Sequence, residues 1–63
     1  MPSPILKYFA FAHLPEGPLR DTSEPFSRMA VVLEQSLPDG AEKSTCLRKL
    51  LEAKDCAVRA VLP

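Results

Sequence analysis

The sequence predicts an all-α protein in which a short N-terminal helix precedes an antiparallel hairpin of two longer helices. Two segments carry apolar residues at the i, i+3, i+4 spacing of an amphipathic helix, and a Pro-Asp-Gly link separates them. A chain of 63 residues makes one domain, residues 1–63. The first apolar stripe comprises Phe26, Met29, Ala30, Leu33 and Leu37, and the second comprises Leu47, Leu50, Leu51, Val58 and Val61.

Residues 1–20 form an aromatic N-terminal arm followed by a loop. Ser3 can cap a short helix over about 4–12, and Pro4 suits the first helical position because its missing N–H is not needed there. The segment 14–18, which contains two prolines and a glycine, has the composition of a loop.

The second helix is predicted over 21–37. Asp21 and Glu24 have the spacing of a capping box, which would place Pro25 in the first turn, and Ser23 is an alternative cap. The third helix is predicted over 40–61.

Asp39 can cap the third helix, with Glu42 three residues later as its capping-box partner. Lys43 precedes the apolar stripe, so we expect its side chain to be free of packing. The short link at Pro38 returns the third helix antiparallel to the second.

One hairpin cannot cover all of this apolar surface. Val31 and Val32 lie outside the narrow stripe of the second helix, and a chain this short obtains little stability from one core. We therefore expect a homo-oligomer.

Cys46 and Cys56 are ten residues apart on one helix, about 15 Å, which is too far for a disulfide. They indicate reduced thiols in a cytoplasmic protein.

Composition excludes several function classes. The net charge of zero argues against a DNA-binding protein, and no apolar stretch is long enough to span a membrane. No Ser/His/Asp order, paired catalytic carboxylates, Gly-rich phosphate loop or metal motif is present, and His13 stands alone. We expect no enzyme activity and no cofactor.

Three features suit an anionic ligand that carries a base, and each has an ordinary structural explanation. Lys43 and Ser44 open a helix whose positive end attracts phosphate, or they form a plain solvated helix start. The aromatic arm beside Lys7 can stack on bases, or it anchors the core. The third helix also carries cations that can simply form a solvated face: Arg48, Lys49, Lys54 and Arg59.

The segment Pro38-Asp-Gly-Ala-Glu-Lys-Ser-Thr-Cys-Leu-Arg-Lys-Leu-Leu-Glu-Ala53 resembles the hairpin domain of phage anti-CBASS and anti-Thoeris nucleotide sponges. In that family a proline precedes Glu-Arg-Ser and then Ala-Leu-x-Lys-Leu-x-Glu-Ala. Here Glu42-Lys-Ser44 takes the place of Glu-Arg-Ser. The aromatic stretch followed by His13 and Pro15 is similar to the family's N-terminal motif, in which aromatic residues precede a histidine and a proline. The resemblance covers nearly the whole chain.

The resemblance implies a non-catalytic hexamer built of dimers in the host bacterial cytoplasm. Such proteins bind cyclic di- or trinucleotides or cyclic ADP-ribose and so keep these immune signals from their effectors. The implied ligand-binding residues are Tyr8, Phe11, His13, Ser23, Lys43 and Ser44. The chain departs from the family at its end, Asp55-Cys-Ala-Val-Arg59, and at Ser23, which replaces a basic residue. The alternative is a structural or regulatory hairpin that associates with another protein.

Overall fold

The computed structural model describes residues 3–63, and in this part of the chain every regular element is helical. A 3-10 helix, Pro4–Phe9, is followed by α1, Pro18–Ser36, and by α2, Ala41–Val61. The predicted all-α class and the order of the three elements are therefore confirmed. No helix between Ser3 and Pro63 is both long and apolar enough to cross a membrane.

α1 and α2 pack side by side as an antiparallel hairpin. Near their connection, Lys43 of α2 contacts Glu34 of α1, whereas at the other end Leu19 and Val58 line the same cleft. Only residues 37–40 join the two helices. A connection this short requires neighbouring helices to run in opposite directions, as the sequence predicted.

The arm lies across the hairpin and completes its core. Phe9 of the arm, Ala30 of α1 and Leu47 of α2 are each almost fully buried and pack against one another. Half-buried apolar side chains surround these three: Ile5, Leu6, Phe26, Leu33, Leu50 and Leu51. Because each element contributes one central side chain, the arm is a structural part of the fold.

The first two helices differ from prediction in their bounds. The arm forms a 3-10 helix that ends at Phe9 rather than Ala12, and Ser3 makes no side-chain capping bond. α1 begins at Pro18 rather than Asp21, after Gly17 with φ 143°. Glycine tolerates this backbone conformation, and proline suits the position that follows it.

This earlier start moves the expected capping residues into the helix. Asp21 lies in the first turn of α1 instead of capping it, and Pro25 lies inside the helix. Proline has no N–H, so the carbonyl of Asp21 loses its intrahelical partner.

The cap of α2 also differs from the expected capping box. Gly40, with φ 153°, occupies the N-cap position and no side chain bonds there. Asp39 instead pairs with Lys43, one turn into the helix. The Asp39 carboxylate therefore lies next to the start of α2 but forms an ion pair with Lys43 rather than a capping hydrogen bond.

The two apolar stripes are buried at their centres and exposed near their edges. Ala30 and Leu47 are completely buried, but Met29 and Val61 are 49% and 42% exposed, so their assignment to the inner stripe was wrong. Val31 and Val32 are exposed, in line with their expected position outside the stripe.

Candidate ligand-binding cleft

A cleft of about 460 Å³ opens where the arm crosses the N-terminal part of α1 and the C-terminal part of α2. We call it the arm cleft. Its volume lies within the range of small-molecule sites. The polar side chains that line it are Lys7, Tyr8, His13, Ser23, Lys54, Asp55 and Arg59.

Lys54 ties α2 to the arm at this cleft. Its Nζ donates a hydrogen bond of 2.5 Å to the backbone carbonyl of Tyr8. The Nζ of Lys7 lies 5.2 Å from the centroid of the Tyr8 ring. The Tyr8 residue nevertheless remains 56% exposed. An ammonium group has three donors, so Lys54 retains two for a ligand while it holds the arm.

Asp55 and Arg59 lie on the rim of the cleft, one helical turn apart, where side chains of a helix are neighbours. Arg59 donates one hydrogen bond of 3.3 Å to the Sγ of Cys56, and its other N–H groups remain available. The cleft therefore combines three cationic side chains with one carboxylate and an exposed aromatic ring.

The structure brings three of the sequence-predicted site residues together. Tyr8, His13 and Ser23 all line the arm cleft. Ser23 is 2% exposed and forms part of the cleft floor. Phe11 is half-buried and does not line the cleft. Its ring packs instead against the guanidinium of Arg20, 5.6 Å from the ring centroid.

Lys43 lies in a different environment, at the end of the hairpin near its connection. It is 6% exposed, and its Nζ contacts the carbonyl oxygen of Glu34 at 2.8 Å. The Glu34 and Asp39 carboxylates each lie 3.0 Å from the same nitrogen. The backbone N–H of Ser3 donates to Glu34 at 3.2 Å. We call Ser3, Glu34, Asp39 and Lys43 the polar clasp.

The clasp overturns the expectation that the Lys43 side chain is free of packing. Three acceptor oxygens surround an ammonium group that has three donors. Within residues 3–63, the second carboxylate oxygen of Glu34 is buried and has no hydrogen-bond partner. In this arrangement Lys43 has no donor left for a phosphate.

The charges of the clasp shift one another's ionisation. The Ser3 hydrogen bond, followed by the Lys43 hydrogen bond and charge, holds the pKa of Glu34 below its ordinary value, although desolvation opposes this. The Lys43 hydrogen bond and charge lower the pKa of Asp39. Hydrogen bonds to Asp39 and then to Glu34 raise the pKa of Lys43. All three groups are therefore held in their charged forms.

Ser44 lines a separate, smaller pocket of about 240 Å³ beside the start of the arm. The other residues of this pocket are Ser3, Pro4, Ile5 and Arg48. Within one protomer, Ser44 is therefore separate from both the arm cleft and the environment of Lys43. The six predicted ligand-binding residues do not form one site in a single chain.

Comparison of the chain with protein-family models, curated proteins and solved structures finds no significant match. The resemblance to nucleotide sponges therefore stays a prediction from the residues.

Sequence reasoning missed the cleft cations on α2. Lys54 and Arg59 were assigned to a solvated face because acidic residues are interspersed with them. Lys54 follows the half-buried Leu50 by four residues and so lies on the same face of α2, but this local spacing does not show that the arm packs there. One available signal was the segment 55–59, where the sequence departs from the pattern of the sponges it resembles, and this segment includes Arg59 but not Lys54.

Proposed function

We propose that this protein binds and sequesters a cyclic oligonucleotide or cyclic ADP-ribose immune signal and thereby inhibits bacterial anti-phage defence. The observation that carries the proposal is the arm cleft, where Tyr8 lies beside Lys54 and shares the cleft with Lys7 and Arg59. The resemblance of the sequence to phage nucleotide sponges favours the same function.

The chemistry of the cleft suits the two parts of such a ligand. The exposed Tyr8 ring offers a face for base stacking, which tolerates any base. Lys54 and Arg59 can each donate charge-assisted hydrogen bonds to phosphate oxygens. His13 and Ser23 are further polar groups within reach of a ligand in the cleft.

Sequestration requires affinity and no turnover. A protein that holds the messenger tightly lowers its free concentration below the level that activates the effector. In our proposal the side chains of the arm cleft only bind, and the messenger leaves unchanged. The expected setting is the cytoplasm of the host bacterium, with neither DNA nor a membrane as a partner.

We further propose that the binding form is a homo-oligomer, a hexamer built of dimers. The chain has an accessible surface of 4566 Å², whereas a compact monomer of 6.9 kDa would expose roughly 4,000 Å². Met29, Val31 and Val32 on α1 are exposed apolar side chains that a subunit interface would cover. A symmetric assembly would also present each contact to a cyclic ligand more than once. Light scattering that gives a monomer mass at micromolar concentration would contradict this part of the proposal.

The function is tested by titrating the purified protein with cyclic dinucleotides, cyclic trinucleotides and cyclic ADP-ribose. A true ligand at a hundredfold excess over Kd should stabilise the fold by about 2.7 kcal/mol, which thermal unfolding detects. Mass spectrometry after heat release should recover the ligand intact. Recovery of a cleaved product would indicate an enzyme, and stabilisation by none of these compounds would contradict the proposal.

The second candidate is a structural or regulatory hairpin that associates with another protein. The exposed valines of α1, Val31 at 47% and Val32 at 56%, favour it, because apolar surface of this kind marks interaction sites. This candidate predicts no stabilisation by any cyclic nucleotide. The same titration therefore distinguishes the two functions.

A further inference from the structure

We infer that the arm cleft selects guanine among the bases, and that Asp55 is the residue that determines this specificity. The inference rests on the proposed function and adds to it the base identity of the ligand. It starts from the one carboxylate among the polar residues of the cleft.

The position of Asp55 places a hydrogen-bond acceptor beside the stacking and phosphate groups. Lys54 donates a hydrogen bond to the backbone carbonyl of Tyr8, and Asp55 lines the same cleft as these two residues. Asp55 is exposed, and within residues 3–63 its carboxylate takes part in no hydrogen bond or ion pair, since the neighbouring Arg59 donates to Cys56 instead. Its acceptor oxygens are therefore free to meet the edge of a base.

Anionic ligands and a carboxylate repel each other unless the carboxylate has a defined partner. Lys7, Lys54 and Arg59 outnumber Asp55 in the cleft, so the site as a whole still attracts phosphate. An acid on the rim of such a site weakens non-specific anion binding. The repulsion between this carboxylate and an anionic ligand is offset best when the ligand presents hydrogen-bond donors to the carboxylate.

Guanine presents those donors, and adenine does not. An ionised carboxylate only accepts hydrogen bonds, and its two oxygens can take a pair of parallel N–H groups. The Watson–Crick edge of guanine offers adjacent N1–H and N2–H groups. The same edge of adenine pairs one amino donor with a ring-nitrogen acceptor, which faces the carboxylate unfavourably.

The predicted ligand order follows from this difference. Cyclic di-GMP should bind most tightly, a mixed guanine–adenine cyclic dinucleotide less tightly, and cyclic di-AMP most weakly. A bidentate contact to a base edge typically discriminates by roughly 10-fold to 100-fold. Cyclic di-IMP, which lacks only the 2-amino group, should fall between cyclic di-GMP and cyclic di-AMP.

The experiment is isothermal titration of the full-length protein with cyclic di-GMP, cyclic di-IMP and cyclic di-AMP. We expect the parent to favour cyclic di-GMP over cyclic di-AMP by at least about tenfold. Asp55→Asn should remove most of this preference, chiefly by weakening cyclic di-GMP. Glu52→Gln is the matched control, since Glu52 is exposed on α2 and does not line the cleft.

The possible failures are distinguishable. If the parent binds cyclic di-GMP and cyclic di-AMP equally, or if Asp55→Asn keeps the preference, the guanine inference is overturned while the proposed function stands. If the parent binds neither these compounds nor any other cyclic nucleotide, both fail. Circular dichroism of each variant establishes that it is folded before titration.

Discussion

The polar clasp and the arm cleft each contain a lysine of α2, but they use its ammonium group in opposite ways. In the clasp, three protein oxygens surround the Lys43 nitrogen, and the side chain is 6% exposed. In the cleft, Lys54 makes one hydrogen bond to the arm and lines open space. Hydrogen-bond occupancy, more than charge, therefore separates a structural lysine from one available to a ligand.

The two regions also hold the arm at opposite ends. The N–H of Ser3 is bound by Glu34 in the clasp, and the carbonyl of Tyr8 is bound by Lys54 at the cleft. Phe9, the residue after Tyr8, is buried in the core. Damage to the clasp should therefore reduce stability first, whereas damage to the cleft should reduce binding first.

The largest effect is expected from Lys43→Glu. The substitution removes the cation between Glu34 and Asp39 and places a third carboxylate beside them. The side chains at positions 43 and 34 are only 6% and 13% exposed, so the repulsion between these two like charges is poorly screened by water, whereas Asp39 is 85% exposed. We expect the melting temperature to fall by more than roughly 5 °C, measured by circular dichroism.

Lys49→Glu is the control for this reversal, because Lys49 is exposed on the same helix. It should change the melting temperature much less than Lys43→Glu. Equal melting temperatures for the two variants would mean that the clasp contributes little to the fold, as the sequence alone had suggested for Lys43.

Acidification should act on the clasp next. The folded state lowers the pKa of Glu34 and of Asp39, so their contribution is fully present above the ordinary values of 4.5 and 3.8 and is lost as the pH falls below them. The pKa of Lys43 is raised, so its contribution is present at neutral pH and is lost only as the pH rises above its ordinary value of 10.5.

Thermal unfolding measured between pH 7 and pH 3 checks the acid side of this prediction. The parent should lose melting temperature below about pH 4.5, and Glu34→Gln should be less stable than the parent at pH 7 but lose less on acidification. Parallel curves for the two proteins would show that Glu34 is not an important source of the pH dependence.

Cleft variants should alter binding with smaller effects on folding. Lys54→Gln keeps a donor for the Tyr8 carbonyl but removes the charge, so we expect a loss of about 1.5–3 kcal/mol in ligand binding. Tyr8→Ala should cost about 1–3 kcal/mol per stacked base. Isothermal titration measures both, with Lys49→Gln as the control outside the cleft. Unchanged affinity in both variants would show that the ligand does not bind in the arm cleft.

The smallest effect is expected from Ser44→Ala. Ser44 is exposed and belongs to a separate pocket, so affinity should change by less than about twofold and stability by less than about 0.5 kcal/mol. Titration and thermal unfolding test this. A tenfold loss of affinity would contradict this expectation and would indicate that Ser44 of a neighbouring copy contributes to the ligand site.

The helices and their order could largely be predicted from the sequence, whereas the surroundings of individual side chains could not. The spacing of the apolar residues and the Pro38-Asp-Gly40 link predicted the hairpin, because the periodicity of apolar residues and the positions of helix-breaking residues are local features of the sequence. The start of α1 at Pro18 was missed because Gly17 and Pro18 have the composition of a loop.

The site was predicted less well because it depends on where the arm lies. Tyr8, His13 and Ser23 line one cleft, whereas Lys43, whose side chain was expected to be free of packing, lies outside it in the clasp. Its burial follows from contacts with Glu34, nine residues away on another helix. Lys54 reaches Tyr8 across 46 residues. Neither contact has a signature in local spacing.

The most direct test of the proposed function follows backbone amide signals by NMR while cyclic di-GMP is added to the ¹⁵N-labelled protein. We predict that the largest shift changes fall on residues 7–13 and 54–59, which surround the arm cleft, with small changes across the clasp at 34–43. Saturable changes centred on 34–44 would place the ligand at the clasp and contradict this assignment. No change with any cyclic nucleotide would contradict the sponge function itself.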